Sequence, residues 1–442
     1  ATPTVDVTEG ATLEFDIKLG AIQVYSVTKD FCADLGLTCP VPAGVPVTAT
    51  VDVAVKDSAP ALAVTAEVIT TNGDGSSLSC LDIPMTISSA AAAEFGTELP
   101  LTLCPKIELT AERVDHYFGL FKTKYNKVYQ HAKEEAERRT NFEASLRRAQ
   151  AKNSKLKEHN FGVTKFSDMS EEEFKRKMLT FKPRTAHDDV IRLNAESHEG
   201  VMRKLRGGKK FAATATDLDW RDRGAVTDVK DQGQCGSCWA FSTTETIESA
   251  YFVAGAELTE LSVEQIVQCD TKDAGCNGGD TITAYDYIQS AEGLASESDY
   301  PYTSGRGVTG KCDNSFSVLD GTNVDSWKYA TPACTSRKCD SQDEDTLASS
   351  LDSVAPVSIC VDAEPWQDYT TGVLKASSCS SGYYSLDHCV QLIGYSGISG
   401  SNGYWIVRNS WADDWGVDGM IHLEYGANTC GVADEATLVT LK

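Results

Sequence analysis

The sequence predicts a multidomain chain: an all-β sandwich first, a helical segment next, and a two-lobed α+β part last. Three observations carry that division. Alternating and β-branched runs fill the chain to residue 89, a basic helical stretch follows, and an acidic, cysteine-rich stretch closes it. At 442 residues the chain is long for one domain, and the shifts in composition divide it into 1–105, 106–180, 181–215 and 216–442.

Charge and cysteine usage narrow the function classes. The net charge is −24, from 40 Lys and Arg against 64 Asp and Glu, so no nucleic-acid partner is expected. Well over half of the basic residues fall within 106–211, beside an acidic C-terminal part. That pattern suggests an intramolecular pairing that weakens as carboxylates protonate at low pH. The plain alternative is solvated surface charge on a helical arm. Fifteen cysteines point to an oxidising compartment. Cys32, Cys39, Cys80 and Cys104 precede the basic region, and an odd number follow it, pairs with one left over. No apolar run reaches transmembrane length, and the chain starts at Ala1 without a leader pattern, read as a leader removed or left out.

Taking the elements in order, runs at 11–18, 21–29, 46–55, 61–70 and 78–87 read as strands, separated by Gly, Pro and Asn-Gly-Asp-Gly turns. Cys32, the run Leu35-Gly36-Leu37-Thr38-Cys39-Pro40, and Cys80-Leu81-Asp82-Ile83-Pro84 resemble the ML lipid-recognition family. The resemblance implies a two-sheet sandwich with lipid held between the sheets, and a Cys32–Cys39 disulfide. An immunoglobulin-like spacer is the alternative. Residues 88–96 are small and Ala-rich, a linker.

Val114, Tyr117, Phe118 and Phe121 mark a helical face, and a charged helix runs from Lys133 to Leu156. Glu135-x3-Arg139-x2-Phe142 with Asn153, and Gly162-Val163-Thr164-Lys165-Phe166-Ser167-Asp168, resemble the inhibitory propeptide of papain-family cysteine proteases. Ser145, Ala149 and Thr164 stand where that pattern has other residues. The resemblance implies a segment that runs backward through a cleft and blocks it. Residues 181–211 lack periodicity and carry Gly207-Gly208-Lys209-Lys210, which reads as an exposed, cleavable connection with a mature N-terminus near 211–216.

Cys235-x-x-Cys238 alone is open to a zinc half-site, a redox pair, two structural cysteines or a nucleophile. A zinc site wants a second such pair, and a redox pair wants a preceding strand; neither is present. Cys238 precedes an apolar, helix-compatible run, which puts its thiol at a helix N-terminus, where the dipole favours thiolate. The whole stretch Gln232-Gly233-Gln234-Cys235-Gly236-Ser237-Cys238-Trp239-Ala240-Phe241-Ser242, after Leu218-Asp219-Trp220-Arg221, resembles the active-site segment of the papain family. Leu386-Asp387-His388-Cys389 and Arg408-Asn409-Ser410-Trp411 resemble its histidine and asparagine motifs. By that resemblance Cys238 is the nucleophile, His388 the base, Asn409 its orienter, Gln232 the oxyanion donor, and Trp411 a shield over the His–Asn bond. His422 is read as an ordinary strand residue. Ala412 replaces the usual Gly after Trp411 and is expected to be tolerated.

The resemblance extends to the substrate cleft. Gly236 and Gly275-Cys276-Asn277-Gly278-Gly279 would let a peptide backbone approach. The S2 pocket would take Asp280, Thr281, Cys360, Leu386, Cys389 and Glu435, beside Asp387. Carboxylates of Asp280 at its mouth and Glu435 at its floor predict that a P2 Arg is accepted beside Leu or Phe; otherwise both acids face solvent. Family positions give Cys235–Cys276, Cys269–Cys312 and Cys379–Cys430. Cys334 and Cys339 then close on each other, and Cys360 and Cys389 pair across adjacent strands. Helices are expected over 238–255 and 262–269, and strands from about 355 onward. The implied protein is a monomeric, secreted or lysosomal/vacuolar zymogen of a cysteine endopeptidase. Its partners would be protein and peptide substrates, its own propeptide and a lipid at the N-terminal domain, and no metal or cofactor is expected. A lipid-binding protein with an accessory protease, and a silent binder on the same fold, are the rival classes.

Overall fold

The computed structural model describes residues 11–19, 22–30, 62–71, 77–87, 99, 108–156, 160–182, 216–332, 334, 339 and 342–442. They fall into two compact units, Ala1–Asp168 and Met169–Lys442.

In the first unit, β1 (Thr12–Leu19), β2 (Ile22–Asp30), β3 (Leu62–Thr71) and β4 (Ser77–Ile87) form one antiparallel sheet in the order β2-β1-β3-β4. Four of the five expected strands are therefore present. The fifth, at 46–55, lies outside the described residues, as do Cys32 and Cys39, so a second sandwich layer is not described.

The helical pattern over 110–160 resolves into α1 (Ala111–Lys124) and α2 (Ala132–Leu156). The Thr110 hydroxyl accepts from the Arg113 N–H and caps α1. Val114, Tyr117, Phe118 and Phe121 are buried, one stripe at helical spacing. Phe142 of α2 meets Phe118 and Phe121 at ring separations of 5.5 and 5.0 Å. Around this core Arg139 pairs with Asp115 and Glu143, each at 2.7 Å, and Lys122 pairs with Glu135. Asn153, buried, exchanges two hydrogen bonds with the Phe161 backbone. Ser145 and Ala149 are buried on the same helix. The second motif ends at Asp168, whose carboxylate takes the Lys127 ammonium and the Tyr129 hydroxyl.

The second unit opens with α3 (Glu171–Met178), which the periodicity did not reveal. Ser170 caps it, three glutamates fill its first turn and three basic residues its last, matching the helix dipole at both ends. A helical lobe follows: β5 (Leu218–Asp219), α4 (Cys238–Val253), α5 (Val263–Cys269) and α6 (Thr281–Ser290). Their core is built on Trp239, Phe241, Ile247, Ile266, Tyr285 and Ile288. Helix α6 was not expected, because Thr281-Ile282-Thr283 is β-branched. Asp280 starts it by accepting the Ile282 N–H.

The β lobe comprises β6 (Val324–Tyr329), helix α7 (Glu344–Ser353), β7 (Val357–Val361), β8 (Val373–Leu374), β9 (His388–Ser396), β10 (Tyr404–Arg408), β11 (Met420–Glu424) and β12 (Glu435–Leu441). Its strands run in the order β6-β12-β7-β9-β10-β11-β8, with β5 joined to β9. All pairings are antiparallel except β11 with β8. β7 and β9 are almost wholly buried, the mark of central strands. The strand β9 begins at His388, so the sheet fixes the imidazole against the cleft.

Candidate active site

Cys238 is the first residue of α4 and fully buried. The Ala240 and Phe241 N–H groups already bond the Ser237 carbonyl, which leaves the earlier N–H dipoles at the helix start to face the sulfur. Among the cysteines described, Cys238 is the free thiol.

The imidazole is held from two sides. His388 Nε2 lies 2.9 Å from Asn409 Oδ1, and that same oxygen accepts the Ser410 N–H at 2.8 Å. The second bond fixes which way the amide points, so Nε2 donates and Nδ1 is the atom left to take a proton. The Trp411 indole stacks on the imidazole at 4.7 Å, with both rings fully buried. Gln232 is equally fixed. Its Oε1 accepts from Ser410 Oγ at 2.7 Å and Trp411 Nε1 at 3.1 Å, and its Nε2 donates to the Cys235 carbonyl at 3.0 Å. Gln232, Asn409 and Trp411 thus form one connected network, although the first two lie 177 positions apart in the chain.

The cleft is filled by the chain's own residues 178–182. The Thr180 hydroxyl donates to the Gly236 carbonyl at 2.8 Å and lies 3.7 Å from Cys238 Sγ. Phe181 bridges Gly279 in parallel and donates its N–H to the Asp387 carbonyl at 2.9 Å; the Lys182 N–H donates to Gly279 at 3.0 Å. A Cβ on Gly278 would stand 2.1 Å from the Thr180 carbonyl, and one on Gly236 would strike Thr180 and the Cys276 carbonyl. These are close approaches only glycine allows. None of Met178, Thr180 or Phe181 was anticipated, since one extended segment paired to distant chain leaves no periodic trace.

Under this cover, burial pushes the Cys238 thiol up. Burial pushes His388 down from 6.5 to about 4, against the pull of Asn409 and the Met178 backbone. Burial thus disfavours the charged form of both groups.

Of the residues read from the sequence as S2, Cys360, Leu386 and Cys389 come together. Phe181, Cys360, Cys389, Leu386, Tyr383, Cys334 and Cys339 form one buried cluster. Thr281 is buried close by in sequence, at the first position of α6. Asp280 and Glu435 do not face solvent, since both are sealed. Asp280 is spent as a helix cap rather than standing open at a pocket mouth. The Glu435 carboxyl has neither oxygen hydrogen-bonded, and burial, with Asp280 and Asp434 nearby, raises it well above the usual range. Asp387 accepts the Ala363 N–H through its carboxylate, so it is its carbonyl that meets Phe181.

Among the described residues there are five disulfides: Cys235–Cys276, Cys269–Cys312, Cys334–Cys339, Cys360–Cys389 and Cys379–Cys430. Cys360 and Cys389 stand directly opposite each other on β7 and β9. His422 is a strand residue of β11, its ring tilted against that of Tyr404 at 4.6 Å. Among the described residues no helix is long and apolar enough to cross a membrane.

Comparison with known proteins is consistent across the chain. The family described as "Papain family cysteine protease" matches residues 214–440. The "Cathepsin propeptide inhibitor domain (I29)" matches 118–174, and the "ML domain" matches 2–87. A cysteine proteinase of Trypanosoma brucei brucei is 40% identical over 327 residues, covering 72% of this chain and 65% of that protein. Cysteine proteinase B of Leishmania mexicana is 36% identical over 315 residues, covering 71% and 66%. This chain therefore spans just under two thirds of these relatives. The structure of digestive procathepsin L 3 from the Tenebrio molitor larval midgut aligns over 74% of this chain and 99% of its own. Its TM-score is 0.58 at 30% identity.

Proposed function

The chain belongs to the papain family of cysteine proteases, with a propeptide inhibitor domain and an ML domain before the protease domain, and on that premise we propose that it is the zymogen of a cysteine endopeptidase. Residues 216–442 are the protease domain, 106–180 the inhibitory domain, 181–215 the connection cut on activation, and 1–105 the ML-like domain. The five disulfides accord with a secreted or lysosomal setting.

The observation that carries this reading is a complete site closed by its own chain. His388 is oriented by Asn409 under Trp411, and Thr180 sits over the Cys238 sulfur. The parallel bridge between Phe181 and Gly279 supports a segment that lies in the cleft against the sense of an antiparallel substrate.

Chemistry follows once residues 178–182 leave. Water reaches Cys238 and His388, burial no longer penalises their charged forms, and the proton moves from Sγ to Nδ1. The thiolate attacks the scissile carbonyl. Gln232 Nε2, with a second N–H beyond the one given to Cys235, and the Cys238 N–H receive the oxyanion. His388 returns its proton to the leaving amine, and then serves as base while water hydrolyses the thioester. In the S2 pocket, a P2 Arg is accepted beside Phe or Leu through Glu435.

The test is an acidification series on the full-length protein from neutral pH to about pH 4. Hydrolysis of fluorogenic dipeptidyl substrates is followed alongside gel mobility, with Cys238→Ala as control. Activity that appears with loss of the region before about residue 212, and not in the control, supports the reading. Cleavage without activity overturns it.

The ML match over residues 2–87 favours a second activity for the first domain. We propose that it binds a lipid. A fluorescent-lipid titration of the full chain that shows no saturable binding rejects this.

A further inference from the structure

Phe181 is the side chain that occupies S2 in the closed protein, and its surroundings are unusual in chemistry. It is 6% exposed. Of the six buried residues clustered with it, four are the halves of two disulfides, Cys334–Cys339 and Cys360–Cys389; the others are Tyr383 and Leu386. None of the other three disulfides among the described residues joins this cluster: Cys235 of one of them belongs to the core of the helical lobe.

The two bridges reach the pocket by different routes. Cys360–Cys389 ties β7 to β9 at the residue directly after His388, so it is part of the sheet itself. Cys334–Cys339 closes a loop of five-residue separation between β6 and α7, a segment that enters neither strand nor helix at those positions. That loop is anchored near its start by Thr331 Oγ1 donating to the Asp343 carbonyl at 2.6 Å. Gln342 Nε2 anchors the far side by donating to the Ala433 carbonyl, also at 2.6 Å.

A wall made of disulfides behaves differently from one made of Val, Leu or Met. Its atoms are held covalently from both ends and cannot rotate away to admit a different shape, so the pocket is pre-formed. Its sulfurs are polarisable and favour the edge of an aromatic ring. We propose that the Cys334–Cys339 clasp and the Cys360–Cys389 bridge are the specificity-determining wall of S2, selecting a planar aromatic side chain at P2 over a β-branched one. The inference rests on the peptidase reading above and adds to it the residues that set substrate choice. Phe181 is the chain's own occupant of that shape.

The experiment uses protein activated from the full-length chain and P2-Phe, P2-Leu and P2-Val dipeptidyl fluorogenic substrates. Functional sites are counted by titration with an epoxysuccinyl thiol reagent. In Cys334→Ser/Cys339→Ser the P2-Phe to P2-Val ratio of kcat/KM should fall roughly fivefold, through KM, with P2-Leu between them. Cys360→Val/Cys389→Ala keeps the apolar volume without the covalent brace, so it tests the same wall if the first variant fails to fold. A ratio unchanged in titratable variant protein overturns the inference. Wild-type protein that the reagent does not titrate would instead reject the peptidase reading.

Discussion

Arg408 Nη2 lies 3.4 Å from Glu245 Oε1, and both side chains are sealed from solvent. Glu248 shares the same guanidinium at 3.9 Å, and Lys230 approaches Glu248 at 3.2 Å and Glu260 at 3.6 Å. Acids outnumber cations here. Burial raises Glu245 from 4.5 to about 7, against the pull of Arg408 and Lys230 and with Glu248 adding to the rise. A carboxyl whose folded value lies above its unfolded one binds more protons when folded, so stability falls as pH rises from about 4.5 to 7. The span corresponds to about 3 kcal/mol at most. Melting temperatures of the activated protease should therefore drop between pH 4.5 and 8. Glu245→Gln should flatten that drop and leave the acid-side value nearly unchanged. A variant curve parallel to wild type removes Glu245 as the cause.

The Ala412 backbone sits at φ +63°, in the left-handed region. Alanine is expected to be tolerated after Trp411, and the chain does adopt the turn with it. Its N–H still donates to the Lys230 carbonyl at 2.9 Å. A Cβ in that region costs about 1 kcal/mol. Ala412→Gly should raise the unfolding free energy by roughly 0.5–1 kcal/mol after the entropy gained by the unfolded chain is subtracted. Thermal unfolding at pH 5 measures it, and a lower melting point contradicts the strain.

How much of this site could be read in advance depended on whether the signal was local. Cys238 at a helix start, the strand opening at His388 and the Trp411 environment each sit in a short stretch whose side chains declare their setting. Phe181 and Glu245 do not. Phe181 lies at the edge of an aperiodic basic stretch, and only its pairing with Gly279 and Asp387, far along the chain, gives it meaning. Glu245, in the polar run Thr243-Thr244-Glu245-Thr246, looks like part of a solvent-exposed helical turn. Its burial is set by Arg408 on β10. Asp280 was legible as an acid beside the pocket but not as a cap, because the helix it starts is rich in β-branched residues.

Phe174 of α3 packs edge-on against Trp411 at 5.4 Å and is 1% exposed. It connects the inhibitory helix to the indole over the His388–Asn409 bond. Truncation should cost roughly 3 kcal/mol of closure. Full-length Phe174→Ala should then label with an active-site thiol probe at neutral pH far faster than wild type. Equal labelling rates would show that α3 does not hold the cleft shut.

Gln232 offers a separate check on the oxyanion role. Its amide oxygen is fixed by Ser410 and Trp411. Gln232→Ala should lower kcat about a hundredfold with KM little changed. A loss confined to KM would reassign Gln232 to substrate binding.

Glu435 gives the prediction with the sharpest sign. Its carboxyl is buried with no hydrogen bond to either oxygen, and burial with Asp280 and Asp434 nearby raises it well above the ordinary range. Such an acid is uncharged at low pH and becomes a partner for a cation only as pH rises. An arginine at P2 brings the charge that favours ionisation, whereas a phenylalanine is indifferent to it. The ratio of kcat/KM for P2-Arg over P2-Phe should therefore increase from pH 5 to pH 7. Glu435→Ala should abolish that increase and lower P2-Arg turnover selectively. An equal loss on both substrates, or a ratio independent of pH in the wild type, would show that the carboxyl serves only the packing between β12 and its neighbours.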